Sequence, residues 1–195
     1  MRNDFDIRQV DKAGYVFLAA APRSGTKFIA ETFQGAGIDM QHEAFGADGI
    51  TAFHIIPSLA CRREGIIFHQ VRDPLPCISS MHMIDHSWRL IYNSTGISPK
   101  QGGMLCAVMK LWLCYNTHIE KYEHFRYKVE DIDDVWPQLL DIMGKEQCPL
   151  PDIPRNTHSK AGRFEKMSWE KLEFRDPELT KYIKEAAHRY GYEVS

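Results

Sequence analysis

Apolar and polar positions follow two rhythms along this chain. Tyr15 to Ala20 (YVFLAA) is an unbroken apolar run that begins after Gly14 and ends before Pro22, the pattern of a strand buried on both faces. Beyond the turn Pro22–Thr26, Phe28, Ile29 and Phe33 share one helical face, and Gly35 and Gly37 stop that helix. A second run, Ile66-Ile67-Phe68, continues to Val71 and ends at Arg72-Asp73-Pro74, which predicts a second buried strand. The next stretch predicts a helix with Pro76 near its start and a stripe of Ile78, Met81, Ile84, Trp88 and Ile91. Leu105, Val108, Trp112, Tyr115, Ile119 and Tyr122 mark another. Burial alone requires that spacing, so both stripes read as core. Arg126–Val129 predicts a third strand. A helix capped by Asp133 or Asp134 and ending at Gly144 follows, and Asp176-Pro177 opens a last helix closed by Gly191.

Strands alternating with helices predict an α/β fold with a mainly parallel central sheet flanked by helices. A length of 195 residues without repeats or a long linker predicts a single domain over 1–195, with 1–14 as an N-terminal arm. Ser94–Gly103 and Glu146–Lys166 carry neither rhythm, and 146–166 is expected to be a loop that covers a bound ligand.

Charge and cysteine content narrow the function. The formal net charge is −2, which argues against nucleic acid as a partner, since such proteins carry a large basic excess. No apolar stretch approaches the length of a membrane span, and MRNDFDIRQVDK has no apolar core of a signal peptide. The five cysteines contain no CxxC pair and read as reduced thiols, which predicts a cytoplasmic protein.

Ala21-Pro22-Arg23-Ser24-Gly25-Thr26-Lys27 joins the first strand to the first helix. A helix N-terminus presents backbone N–H groups and partial positive charge, and so favours an anion. Gly25 permits close backbone approach, Ser24 and Thr26 add hydroxyls, and Arg23 and Lys27 add full charges. The loop is not a GxxxxGK[ST] motif, and the second strand reaches Arg72 before any carboxylate. The pattern suits an anion neutralised by Arg and Lys without a metal.

PRSGTK after a strand resembles the 5′-phosphosulfate loop of the sulfotransferases that use 3′-phosphoadenosine 5′-phosphosulfate (PAPS). Arg72-Asp73-Pro74 with Ser80 eight residues after Arg72 resembles their 3′-phosphate site. Val129-Glu130-Asp131-Ile132 resembles a segment that follows a later strand, and Ser159–Arg163 resembles the basic loop that closes over the nucleotide. Lys27 departs from the family pattern, which has a second Thr there. The resemblance implies a P-loop NTPase-like fold and in-line sulfuryl transfer from PAPS to an acceptor hydroxyl, leaving 3′-phosphoadenosine 5′-phosphate (PAP). It implies nucleotide contacts from Arg23, Ser24, Gly25, Thr26, Lys27, Arg72, Ser80, Lys160 and Arg163. Arg23 is also expected to be catalytic, and losing such a preorganised cation costs on the order of 10²–10³ in rate. The acceptor is a hydroxyl-bearing small molecule, sugar or lipid.

Transfer also requires a base for the acceptor hydroxyl, and two residues answer. Glu43 resembles the base Glu of tyrosylprotein and glycosaminoglycan sulfotransferases, and a preceding strand over Gly37–Gln41 would bring it to the same sheet edge as the anion loop. His54, in His54-Ile55-Ile56-Pro57, resembles the base His of cytosolic sulfotransferases. Position favours Glu43. His42, His82 and His86 are candidate metal ligands, but only His82 and His86 share a spacing, four apart on a predicted helix, and no third ligand is identifiable with them, so a solvated face is the better reading. Two further functions remain open: a P-loop kinase-like phosphotransferase, which would require magnesium, and a non-catalytic nucleotide-binding domain of the same fold.

Overall fold

A computed structural model describes residues 14–61, 64–82, 88–155 and 165–194. Its first half runs β1 (Val16–Ala19), α1 (Thr26–Gly35), β2 (Met40–His42) and β3 (Gly49–Thr51). A 3-10 turn at Ile56–Cys61 leads to β4 (Ile66–Val71), α2 (Pro74–Met81), α3 (Trp88–Thr95), α4 (Gly103–Ile119) and β5 (Phe125–Lys128). After a second 3-10 turn at Val129–Asp131 come α5 (Ile132–Ile142), α6 (Trp169–Arg175) and α7 (Pro177–Arg189).

All five strands are parallel, in the order β2-β3-β1-β4-β5. Val16 aligns with Gly49 on one side and Ile66 on the other, and Phe68 aligns with Phe125. The chain leaves β1 toward β2 and β3, then crosses back to β4 and β5. Connections therefore diverge from the β1/β4 pair, and a crevice opens at the carboxyl ends of those strands.

Strand alternation divides the core between two helical layers. Val16, Leu18, Met40, Phe68 and Tyr127 pack with Ile29 and Phe33 of α1 and Trp136, Leu139 and Leu140 of α5. Phe17, Ala19, Ile50, Ile67 and Val71 pack on the opposite face with residues of α2, α4 and α7, among them Ile78, Trp112 and Ile183. β1 is apolar throughout, and β4 is apolar over its first three residues, because both faces of the sheet are covered there.

Several elements depart from the expectation. The apolar stripe of Ile78 to Ile91 is shared by two helices, because α2 ends at Met81, where the His82 N–H closes onto the Ser80 carbonyl. Ile84 lies outside the described residues. Tyr122 sits in a turn beyond α4 and still packs on the core. The N-cap of α5 is Asp131, while Asp133 and Asp134 occupy its first turn, where they oppose the positive end of the helix dipole. Asp133 also pairs with Arg155. The Asp176 side chain does cap α7, accepting from the Leu179 N–H at 3.0 Å. β3 and α6 were not foreseen: β3 is three residues long and α6 is seven. Ser94 and Thr95 complete α3, so the first unassigned stretch is shorter than expected. The expected N-terminal arm lies outside the described residues up to residue 13, and so does 156–164 of the expected covering loop.

Candidate active site

The crevice between β1 and β4 is lined by the two loops that the sequence singled out. Gly25 caps α1 with φ 88°, and α1 has neither a side-chain cap nor an acidic residue in its first turn. A side chain at Gly25 would meet Val129 Cγ2 at 3.3 Å and Gln70 Nε2 at 3.5 Å, so glycine serves both the left-handed turn and the close approach. Ser24 is fully buried. Its carbonyl accepts from Gln70 Nε2 at 2.6 Å, and Gln70 Oε1 accepts from the Tyr127 hydroxyl at 2.7 Å. Its hydroxyl lies 3.4 Å from Cys77 Sγ, which donates to the Pro22 carbonyl at 3.5 Å. Burial pushes the Cys77 thiol up to about 11, so it holds the proton it donates.

Two arginines stitch the loops together. Arg72 Nη1 donates to the Arg23 carbonyl at 2.8 Å, and Arg23 Nε donates to Ser80 Oγ at 2.9 Å. Ser80 thus faces the anion loop. Its neighbour Ser79 turns away and donates to the Glu165 carbonyl at 2.5 Å. Asp73 accepts from the Leu75 N–H at 2.9 Å and so opens α2, while burial raises its pKa above the ordinary carboxylate range. The Asp73 N–H donates to Glu130 at 3.2 Å, and the Tyr192 hydroxyl donates to the other oxygen of that carboxylate at 2.9 Å. Lys27 behaves differently from Arg23: half exposed, it pairs with Glu31 one turn along α1 at 3.8 Å. Lys160 and Arg163 lie outside the described residues, and so does His86.

The other candidates gather beside the end of α1. Glu43 follows β2, is exposed, and has φ 55°. Arg23 has φ 68°, and among the described residues these are the two non-glycine positions with positive φ. Such backbone is held only where its surroundings over-determine it, and it concentrates at functional sites. His42, the last residue of β2, places Nε2 3.1 Å from Thr26 Oγ1. Thr51, at the end of β3, donates to the Thr26 carbonyl at 2.9 Å. His54 follows three residues later, and burial pushes its pKa below the ordinary histidine range; the Glu43 carboxylate opposes that shift and His42 adds to it. Glu43, His42 and His54 therefore share one electrostatic neighbourhood.

His54 also borders a cleft of about 120 Å³ lined by Phe53, His54, Leu90, Asn93, Ser94 and Tyr115. The Phe53 ring meets His54 edge-on with centroids 5.7 Å apart. Tyr115, its pKa raised to about 12 by burial, has its hydroxyl 3.5 Å from Ser94 Oγ. Among the described residues no group of three metal-ligating side chains occurs, and no helix is long and apolar enough to cross a membrane.

Sequence reasoning missed Gln70, Thr51 and the cleft. Gln70 had a readable signal, a polar side chain beside His69 in a strand run that is otherwise apolar. The cleft had none, because its walls come from three separate parts of the chain.

No family model and no curated protein matches the sequence. Solved structures do match the fold. The sulfotransferase domain from the curacin biosynthetic pathway aligns with a TM-score of 0.59 at 12% identity, covering 94% of this chain and 99% of that one. A sulfotransferase from Alicyclobacillus acidocaldarius aligns with a TM-score of 0.56 at 11% identity, covering 95% and 98%. A mouse sulfotransferase complexed with PAP aligns with a TM-score of 0.53 at 12% identity, covering 93% and 87%. The chain has the sulfotransferase fold, a P-loop-like single domain built on a parallel sheet.

Proposed function

We propose that this protein is a sulfotransferase that moves a sulfuryl group from PAPS to the hydroxyl of a small acceptor, without a metal. The observation that carries this reading is the cross-bonding of the two loops, Arg72 to the Arg23 carbonyl and Arg23 to Ser80. It brings two arginines, two hydroxyls and a helix N-terminus together at the β1/β4 crevice, a donor set suited to two phosphate-type anions. Asp73, the carboxylate where a kinase would need a magnesium ligand, is engaged as the cap of α2. A mouse protein of this fold was solved with PAP, which supports the same nucleotide here.

In this reading Arg72 and Ser80 hold the 3′-phosphate, and Arg23, Ser24, Gly25 and Thr26 hold the 5′ end. Lys160 and Arg163 are assigned to the nucleotide as further cations. Lys27 adds long-range charge, since its side chain is shared with Glu31. The transfer forms a bond from the acceptor oxygen to sulfur and breaks the bond from sulfur to the 5′-phosphate oxygen. Arg23 and the first amides of α1 neutralise the charge that grows on that phosphate. The acceptor proton goes to His54, which burial keeps neutral near pH 7. Glu43 stabilises the imidazolium that forms. The acceptor occupies the cleft beside His54. Its walls among the described residues carry aromatic, aliphatic, amide and hydroxyl groups and the neutral imidazole of His54, which suits a small neutral alcohol or phenol. The four described cysteines are free thiols, and we place the reaction in the cytoplasm.

The test is calorimetry with PAP in the presence of a chelator, followed by sulfate transfer from PAPS to a panel of neutral hydroxyl compounds. PAP is expected to bind more tightly than ATP, and transfer to proceed without divalent metal. Equal affinity for the two nucleotides, or an absolute requirement for magnesium, favours a phosphotransferase. PAP binding without transfer to any acceptor favours a nucleotide-binding domain without turnover.

A further inference from the structure

His42 Nε2 is 3.1 Å from the hydroxyl of Thr26, the first residue of α1. That hydroxyl has one proton to give. When Nε2 carries no proton, the Thr26 O–H must donate to the ring, and its lone pairs then face the crevice and repel an anion. When Nε2 carries a proton, the ring donates, Thr26 accepts, and the threonine proton turns toward the crevice. The polarity of this one hydrogen bond thus decides whether the anion loop presents a donor or an acceptor at its helix end. Thr26 cannot move away from the choice easily, because its carbonyl is held by Thr51 and its Cα begins the helix.

We propose that His42 is a positioning residue for the nucleotide: the bound anion selects the form of His42 with a proton on Nε2, as the neutral tautomer or as the imidazolium, so that the ring donates to Thr26 Oγ1 and the threonine proton faces the anion. This inference rests on the sulfotransferase reading of the same loop. It extends that reading to a residue two elements away that touches no substrate.

The charged groups around the ring are few. β2 packs on α1 and β3. α1 contributes Lys27 and Glu31, which pair with each other. β3, Gly49-Ile50-Thr51, contributes no titratable side chain. Glu43 adjoins His42 in the chain, and His54 is close enough for the two rings to disfavour each other's charge. Arg23 lies in the anion loop itself. The neutral ring with its proton on Nε2 and the charged ring both donate to Thr26, so the bond does not require His42 to gain charge.

The test is PAP titration by calorimetry on the wild type, His42→Ala, His42→Gln, Thr26→Val and the double variant His42→Ala/Thr26→Val. His42→Ala should lose roughly tenfold in affinity, the scale of one hydrogen bond to a charged group. His42→Gln, whose amide can donate to the same hydroxyl, should recover most of that affinity. Adding His42→Ala to Thr26→Val should cost nothing more, because the ring acts only through that hydroxyl. Independent, additive losses, or His42→Gln as weak as His42→Ala, overturn the inference while leaving the sulfotransferase reading intact. Wild-type protein that binds no PAP overturns the sulfotransferase reading itself.

Discussion

The two sides of the crevice are built on opposite principles. On the nucleotide side nearly every polar group is held by a neighbour. Tyr127 holds Gln70, Gln70 holds the Ser24 carbonyl, Arg72 holds the Arg23 carbonyl, and Trp112 Nε1 reaches the Arg72 carbonyl at 3.4 Å. These bonds come from β4 and its carboxyl end, β5 and α4, so the anion loop is fixed by the middle of the fold. On the acceptor side Glu43 is exposed just beyond the short strand β2, and Leu90 in the wall of the cleft is 45% exposed. A preorganised donor site stabilises developing charge without reorganising. A loosely framed acceptor site can vary its walls without disturbing that machinery. Under the proposed function, the difference teaches that donor chemistry would belong to the sheet and acceptor choice to its periphery, and it can be broken from either side.

The largest expected effect is on the acceptor side and touches turnover alone. His54→Ala should lower kcat by about 10²–10⁴, the usual contribution of a positioned base, with PAP affinity unchanged. Glu43→Gln should lower it less. Because burial depresses the pKa of His54, wild-type activity should be full above that pKa and fall as pH drops through it, at a pH below the ordinary histidine midpoint. If Glu43→Gln abolishes turnover and His54→Ala spares it, the carboxylate is the base, as its position in the sequence favours.

Next in size is Arg72→Ala, expected to weaken PAP by about 2–5 kcal/mol, as for one partner lost from a desolvated charge pair. The variant loses the cation and also the bond that holds the left-handed turn at Arg23. Arg72→Lys keeps charge without the fork and should recover only part. Wild-type affinity in Arg72→Ala, measured by calorimetry, would remove the second loop from the site and with it the comparison between the two sides.

How much of this was legible follows the same division. β1, the anion loop and α1 could be read because each is marked locally, by an apolar run, by Pro22 and Gly25, and by the stripe of Ile29 and Phe33. β4 and its Arg72-Asp73-Pro74 end are marked in the same way. β3 could not be read, because Gly49-Ile50-Thr51 is too short for a period and is a strand only through pairing on both sides. The break between α2 and α3 was invisible because the apolar stripe continues on both helices against one core. Candidate base residues could be named from the sequence, but their surroundings could not. The tie between His42 and Thr26 spans 16 residues and two elements, and the cleft joins the Phe53-His54 turn with α3 and α4.

The smallest effect discriminates most finely. Ser80→Ala should weaken PAP by about 1 kcal/mol, the net worth of one hydrogen bond. Ser80 Oγ already accepts from Arg23 Nε, so its own proton remains to donate to a phosphate oxygen. The substitution removes that donor and one restraint on Arg23, but Arg72 still holds the Arg23 carbonyl. Ser79→Ala is the matched control, because its hydroxyl is turned to the Glu165 carbonyl and takes no part in the contact with Arg23. Its effect on PAP should be smaller than that of Ser80→Ala. A larger loss from Ser79→Ala would mean that the tether to Glu165 governs the nucleotide more than the arginine bridge does, and the nucleotide side would then depend on the periphery too.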